Sequence, residues 1–303
     1  MSSPTTKKPS VRAGQAGATS TDDFLGGRIA VIQPRRGHRA GSDAVFLAAA
    51  VPARAGQRVL DAGAGVGVAG LCLLARIPGV ELTAVEIDAG LCALAAENAA
   101  RNGFGERVQV INADVTSPGK ALRAAGLVAE SYDQVIANPP FHPEGAVRPA
   151  PDAARAAAHV MGGEGLADWV RFFAALAAPN ALLTLVHRPD CLGELLGLLD
   201  RRFGGIAVFP LFPKANEPAT RIIVQAEKGS RAGLSLLPGL VLHEEDGRYT
   251  EEAEAVLREG EALDLRRSDQ RKGRRLGGKA AALVRRSVRR VLELTRSVLI
   301  GAR

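Results

Sequence analysis

The sequence predicts an α/β protein in which helices cover both faces of a doubly wound, mostly parallel sheet of seven strands. The first observation is a regular alternation of short apolar runs, typical of buried strands, with longer stretches of helical character. The second is a cluster of glycines directly after the first of these runs, where a strand turns into a helix. The third is size, because 303 residues that are 47% hydrophobic can bury a full core.

Strand and helix positions follow from the period of the apolar residues. The predicted parallel strands are Arg58–Ala62, Leu82–Glu86, Val108–Asn112, Asp133–Ala137 and Ala181–His187, and the helices are about Val66–Arg76, Ala89–Asn102, Gly165–Ala178 and Cys191–Arg201. The outer elements are an edge strand at Gly26–Gln33, a helix at Ala44–Ala50 that Ser42 or Asp43 can cap, a terminal strand pair at Ile206–Leu211 and Ile222–Gln225, a small hairpin at Gly233–His243 and a helix at Thr250–Arg258. The terminal pair completes the set of seven strands.

The chain divides into three parts by composition. Residues 1–22 are polar and rich in small residues, so they are predicted to be disordered, and residues 23–265 form the predicted domain. Residues 266–303 begin as an Arg/Lys/Gly linker and continue as a basic amphipathic helix at Lys279–Ile300. This tail has thirteen Lys and Arg and two acidic residues, a charge of +11, which leaves −4 of the total of +7 for the rest. Any nucleic-acid binding inferred from charge is therefore assigned to the tail.

Several classes of protein are disfavoured by what the sequence lacks. Cys72, Cys92 and Cys191 are odd in number and lack a C-x-x-C spacing, and the five histidines do not cluster, so neither disulfides nor a metal site are expected. The N-terminus has no apolar signal region, and no apolar run reaches the roughly 18 residues that a membrane-spanning helix needs. We expect a soluble, cytoplasmic monomer.

The glycine cluster predicts a nucleotide cofactor site. Gly63, Gly65 and Gly67 permit a tight turn and a close backbone approach, and the helix that follows supplies unpaired N–H groups. Glu86 ends the next strand, about 20 residues further on, where a carboxylate can bind both ribose hydroxyls. At this point NAD and S-adenosylmethionine remain equally compatible with the pattern.

Two further carboxylates favour S-adenosylmethionine. Asp61 stands directly before the glycines and can reach the cationic amino group of a methionine moiety. Asp114 follows the third strand and can accept a hydrogen bond from an adenine amine. Either residue alone could be a turn aspartate, but both are placed at the carboxyl ends of parallel strands, where ligands bind in such folds.

The fourth strand runs into Asn138-Pro139-Pro140-Phe141, the predicted catalytic segment. Two successive prolines force the chain out of the sheet in a rigid turn. The Asn138 side-chain carbonyl and the Pro139 backbone carbonyl supply two acceptors, and Phe141 supplies a flat apolar face. A flipped-out nucleobase with an exocyclic amine needs these groups, although a plain turn with a core Phe has the same residues.

The order of these motifs resembles class I S-adenosylmethionine-dependent methyltransferases that act on an exocyclic or amide nitrogen. More closely, residues from about Phe24 to Leu265 are similar to the bacterial tRNA(Val) adenine-N6-methyltransferase family. The segments that carry the resemblance are His38-Arg39-Ala40-Gly41-Ser42-Asp43-Ala44, Asp61–Gly67, Glu86, Asp114 and the Asn-Pro-Pro-Phe segment.

The resemblance implies a Rossmann-like fold, S-adenosylmethionine as methyl donor and tRNA as partner. It further implies methylation of N6 of the adenosine just 3′ of the anticodon in valine tRNA. By the same resemblance, Arg39, Ser42 and Asp43 lie beside the methionine end of the cofactor, and Asn138 lies against both cofactor and base. From the residues alone, Ser42 and Asp43 could equally be a helix cap.

Alternative functions stay open at this stage. His142 extends the motif to Asn-Pro-Pro-Phe-His, which is also similar to ribosomal RNA guanine-N2-methyltransferases. Protein glutamine-N5-methyltransferases usually carry Tyr in place of Phe141, which argues mildly against them. A non-enzymatic alternative is an RNA-binding protein that acts through its basic tail. A dehydrogenase is disfavoured because nothing resembles a hydride-relay residue.

Overall fold

A nine-stranded sheet forms the centre of the protein in the computed structural model, which describes residues 19–37, 39–140 and 164–265. In chain order, the elements of the first half are β1 (Thr19–Phe24), β2 (Ile29–Pro34), α1 (Ser42–Ala50), β3 (Arg58–Ala62), α2 (Val68–Arg76), β4 (Glu81–Glu86), α3 (Ala89–Arg101) and β5 (Val108–Asn112). Those of the second half are α4 (Gly119–Ala124), β6 (Tyr132–Ala137), α5 (Glu164–Leu176), β7 (Ala177–His187), α6 (Leu192–Leu199), β8 (Phe203–Phe212), β9 (Arg221–Lys228), β10 (Ser235–Leu236), β11 (Leu240–Val241) and α7 (Glu251–Glu254).

The strand order is β10-β8-β9-β7-β6-β3-β4-β5, with β11 also paired to β8. Strands β3 to β7 pair in parallel, whereas β9 is antiparallel to both β7 and β8. This is the predicted doubly wound sheet, and the predicted parallel core is confirmed. The predicted number of strands, seven, is too small, because β10 and β11 add two short strands beside β8. After β5 the chain returns to the other side of β3, so the strand order reverses between β3 and β6. A crevice opens at the carboxyl ends of the strands at such a switch point.

Two apolar clusters cover the faces of the sheet. One contains the buried residues of α1 and α2, with Phe46, Leu47 and Leu71 among its largest side chains. The other contains those of α5 and α6, including Phe173 and Leu195. Since the sheet is buried on both faces, its central strands are mostly apolar, which explains why the sequence reveals them so clearly.

The N-terminal hairpin β1–β2 forms a separate two-stranded sheet. Residues 19–22 were expected to be disordered with the rest of the N-terminal segment, but Thr19–Phe24 is a strand. The polar sequence of β1 shows no strand pattern, because β1 is stabilised by pairing with the half-buried β2 and not by burial of its own side chains.

Three smaller expectations at the edges of the domain differ from the structure. The predicted hairpin at Gly233–His243 is wrong: β10 and β11 each pair in parallel with β8, at separate positions along this ten-residue strand. The helix after Thr250 is only one α-helical turn, continued by a π-helical turn at Ala255–Glu259. The cap of α1 is Gly41 without a side-chain hydrogen bond, not Ser42 or Asp43. The predicted tail helix lies outside the described residues.

Candidate active site

The turn between β3 and α2 places three glycines at the switch point of the sheet. Gly63 has a φ of 67° and Gly67, the N-cap of α2, a φ of 90°, a backbone region that L-residues rarely adopt. Gly63 is also crowded, because a Cβ at this position would lie 2.6 Å from the Cη2 atom of Trp169 on α5. Both the backbone angle and the neighbouring indole therefore require glycine at residue 63.

Glu86 connects the end of β4 to this turn. Its Oε2 accepts a hydrogen bond from the Gly65 N–H at 2.9 Å, and its Oε1 accepts one from the Asp88 N–H at 3.0 Å. The side chain is buried. The structure thus brings the predicted ribose-binding carboxylate into direct contact with the predicted cofactor turn.

Asp61 lies beneath the same turn and is only 2% exposed. Its Oδ2 accepts a hydrogen bond from the Gly70 N–H of α2 at 3.2 Å. Burial raises the pKa of the Asp61 carboxyl to about 7, the bond from Gly70 opposes this shift, and the negative charge of Glu86 adds to it. Among the described residues Asp61 accepts this one long hydrogen bond, and a buried carboxylate with so few partners is well suited to receive a cationic group.

Asp114 lies two residues beyond β5 on the same edge of the sheet. Its Oδ1 accepts hydrogen bonds from the Thr116 N–H and the Thr116 hydroxyl, both at 2.8 Å. It therefore has the contacts of a turn aspartate, and its predicted contact with adenine stays a prediction.

Asn138 leaves β6 immediately beside the glycine turn. Ala137 pairs with Ala62 of β3, so Asn138 and Gly63 follow adjacent strands at the same level. The Asn138 Oδ1 is buried and has no hydrogen-bond partner among the residues that the structure describes. Pro139 is buried and Pro140 exposed. Phe141 and His142 lie outside the described residues, so their predicted roles stay predictions.

The structure places Arg39, Ser42 and Asp43 in other contacts. Arg39 forms an ion pair with Asp22 of β1, and it donates to the Ser20 hydroxyl at 2.9 Å. Asp43 forms an ion pair of 2.8 Å with Arg221 at the start of β9. Ser42 is half-buried at the start of α1. Their predicted contacts with a cofactor stay predictions.

Sequence reasoning missed three residues of this region. Trp169 packs on Gly63, Arg221 pairs with Asp43, and Asn98 of α3 donates to a carbonyl of the glycine turn. Each partner is far away in the chain, and no local pattern marks the pair. The only available signal was that Trp169 is the one tryptophan of the chain.

Comparisons with known proteins agree with this geometry. Residues 39–164 match the family model of the methyltransferase small domain. A crystal structure from Agrobacterium tumefaciens, described as a predicted O-methyltransferase, is 31% identical and superposes with a TM-score of 0.63, covering 74% of this chain and 99% of that one. Two relatives are named tRNA1(Val) (adenine(37)-N6)-methyltransferase. The relative from Aeromonas hydrophila is 29% identical over 70% of this chain and 86% of its own, and that from Dickeya chrysanthemi 26% over 80% and 95%.

The chain belongs to the class I S-adenosylmethionine-dependent methyltransferases. Within that class it resembles the bacterial tRNA1(Val) adenine-N6-methyltransferases, as its motifs predicted. Within the described ranges, no group of three metal-ligating side chains could hold a metal ion. None of the described helices is both long and apolar enough to cross a membrane.

Proposed function

We propose that this protein transfers a methyl group from S-adenosylmethionine to the exocyclic N6 amine of an adenosine in tRNA, next to the anticodon of valine tRNA. The observation that carries the proposal is the buried Asn138 Oδ1 beside the glycine turn, which lacks a hydrogen-bond partner in the described chain. A buried acceptor without a partner is costly, and an incoming amine would satisfy it. The names of the relatives support tRNA as the substrate.

The residues at the switch point fit the proposed cofactor. We assign Glu86 to the ribose hydroxyls, Asp61 to the amino group and Asp114 to the adenine amine, and the glycine turn gives the backbone close access. The cationic sulfur of the bound cofactor makes its methyl group electrophilic. Asp61 is buried and is shifted toward its neutral form, so a cationic partner would relieve the cost of its charge.

The target amine needs activation because its lone pair is delocalised into the base. We propose that the Asn138 side-chain oxygen and the Pro139 carbonyl accept its two N–H groups, while Phe141 stacks on the base. These bonds favour a pyramidal nitrogen and direct its lone pair toward the methyl group. The proton can leave after transfer, so no residue has to act as a strong base.

Residues 23–265 form the catalytic domain in this proposal, acting as a monomer in the cytoplasm, and residues 266–303 contact RNA phosphates. The tail has the charge for this task, +11 in 38 residues. Arg39, Ser42 and Asp43 lie beside the methionine end of the cofactor, as the resemblance implies.

The experiment is transfer of labelled methyl groups from S-adenosylmethionine to total tRNA and, separately, to ribosomal RNA, both from a strain that lacks this protein. Label in tRNA supports the proposal. Label in ribosomal RNA alone would favour the guanine-N2 alternative, and absence of label from both would redirect the search to protein glutamine. In parallel, S-adenosylhomocysteine should raise the Tm and NAD should not.

A further inference from the structure

Asn98 of α3 joins two parts of the chain that no motif connects. Its side chain is completely buried. The Oδ1 atom accepts from the Ile32 N–H at 2.8 Å, and the Nδ2 atom donates to the Ile32 carbonyl at 2.9 Å and to the Val66 carbonyl at 3.1 Å. Three of the four hydrogen bonds that an Asn side chain can make are thus divided between the N-terminal hairpin and the glycine turn.

The bond to Val66 fixes one peptide unit of the glycine turn. The Val66 carbonyl and the Gly67 N–H belong to the same planar peptide. Asn98 holds the carbonyl, and the N–H donates to the Ala64 carbonyl at 2.9 Å. Because both ends of this unit are held, the ψ of Val66 and the φ of Gly67, which lead into α2, depend on Asn98.

The bonds to Ile32 satisfy a backbone N–H and a backbone carbonyl on the edge of β2 that does not pair with β1. Asn102, the C-cap residue of α3, does the same for Ala30, with hydrogen bonds of 3.0 and 2.9 Å to its N–H and carbonyl. Residues four apart face the same side of a helix, so the two asparagines act on β2 as a neighbouring strand would. Asn102 also donates to the Asn98 backbone carbonyl at 2.8 Å, but it makes no bond to the glycine turn within the described ranges, so it serves as the comparison.

The same hairpin also holds the segment that carries Arg39. The buried Gln33 of β2 accepts from the Ala40 N–H at 3.0 Å and donates to Asp22 at 2.7 Å. Asp22 in turn pairs with Arg39. Both predicted cofactor segments, the glycine turn and the residues around Arg39, are therefore tied to β2.

We infer that Asn98 is a positioning residue for cofactor binding, which couples the N-terminal hairpin to the glycine turn. The inference rests on the proposed function, because it takes the turn to bind the methyl donor. Asn98 touches neither reactant, so its effect falls on cofactor affinity and not on the chemical step.

The test compares Asn98→Ala with Asn102→Ala, since both remove hydrogen bonds to β2 and only the first also releases Val66. In the free protein, Asn98→Ala should speed amide hydrogen exchange at Gly65 and Gly67, while Asn102→Ala should leave it near the wild-type rate. The Kd for S-adenosylhomocysteine and the KM for S-adenosylmethionine should rise about tenfold in Asn98→Ala, with kcat almost unchanged.

Equal changes in exchange and in Kd for the two variants would overturn the inference, because loss of hairpin packing would then explain both. Should Asn98→Ala fail to fold, Asn98→Ser, which is larger than Ala and retains a hydroxyl, takes its place with the same expectations. A wild-type protein without affinity for S-adenosylhomocysteine would refute the proposed function. The exchange rates at the turn would still decide whether Asn98 holds it.

Discussion

Asn138 presents a buried oxygen at the end of β6 for which the described chain supplies no donor. In the proposed reaction that oxygen accepts an N–H of the target amine. Asn138→Ala should therefore lower kcat by about 10²–10³, the cost typical of removing one group that stabilises a transition state. The Kd for S-adenosylhomocysteine should remain near the wild-type value, as calorimetry can measure.

Asn138→Asp is the control for this prediction, because a carboxylate keeps the acceptor while losing the amide. It should retain more activity than Asn138→Ala. A turnover of Asn138→Ala close to that of the wild type would show that the residue is only part of a turn.

Asp61 makes the stability of the cofactor-free protein depend on pH. Its pKa is about 7 in the folded protein against an ordinary value of 3.8, so between these values the folded state holds the proton more tightly. Its contribution to stability is therefore largest at low pH and falls by up to about 1.4 kcal/mol per pH unit as the pH rises toward 7.

Asp61→Asn removes this titration and leaves an oxygen that can accept from Gly70. The Tm of the variant minus the Tm of the wild type should be larger at pH 8 than at pH 5, when both are measured by calorimetry without ligand. A Tm difference that is the same at both pH values would contradict the raised pKa of Asp61.

At the scale of elements, the contact between α5 and the glycine turn leaves no room for a side chain at residue 63. Gly65→Ala meets open space, so it should cost only backbone strain, about 1–2 kcal/mol. Gly63→Ala adds a clash with Trp169 and should cost about 1–3 kcal/mol more in urea unfolding.

The double variant Gly63→Ala/Trp169→Phe separates the two costs, because the smaller ring leaves room for the methyl group. It should recover part of the stability that Gly63→Ala loses, which a double-mutant cycle measures. Additive losses would mean that the indole does not restrict residue 63.

The parallel strands were predictable to within one or two residues, apart from an earlier start of β7, because apolar runs buried on both faces are local features. β1 escaped prediction because its sequence, TSTDDF, is polar and its stability comes from pairing with β2. β10 and β11 were misassigned to a hairpin because their partner, β8, precedes them by about 28 residues.

Contacts between residues far apart in the chain also limited the prediction of the candidate site. Asp61, the glycines, Glu86 and Asn138 stand in local motifs, and the structure places them at one edge of the sheet. The partners of Arg39 and Asp43 could not be predicted, since an ion pair between Asp43 and Arg221 joins residues 178 positions apart. Such pairs depend on how the sheet is assembled, which no local pattern records.

At the scale of the whole molecule, charge is divided between a basic tail and an acidic body. Deleting residues 266–303 removes a net charge of +11 and leaves a net charge of −4 on the rest of the chain. The truncated protein should bind tRNA more weakly, and its log Kd should vary less steeply with log salt concentration, because fewer phosphate contacts release fewer counterions. Affinity for S-adenosylhomocysteine is the control and should not change. An unchanged salt slope would exclude the tail from RNA binding.

Nucleoside analysis of the methylated RNA identifies the atom that receives the methyl group. After reaction with tRNA, the RNA is digested to nucleosides and the labelled product is identified by mass spectrometry. The labelled product should be N6-methyladenosine, formed about 10²–10³ times more slowly when Asn138→Ala is used. A 2′-O-methylated nucleoside or N2-methylguanosine as the labelled product would contradict the proposed methylation of N6.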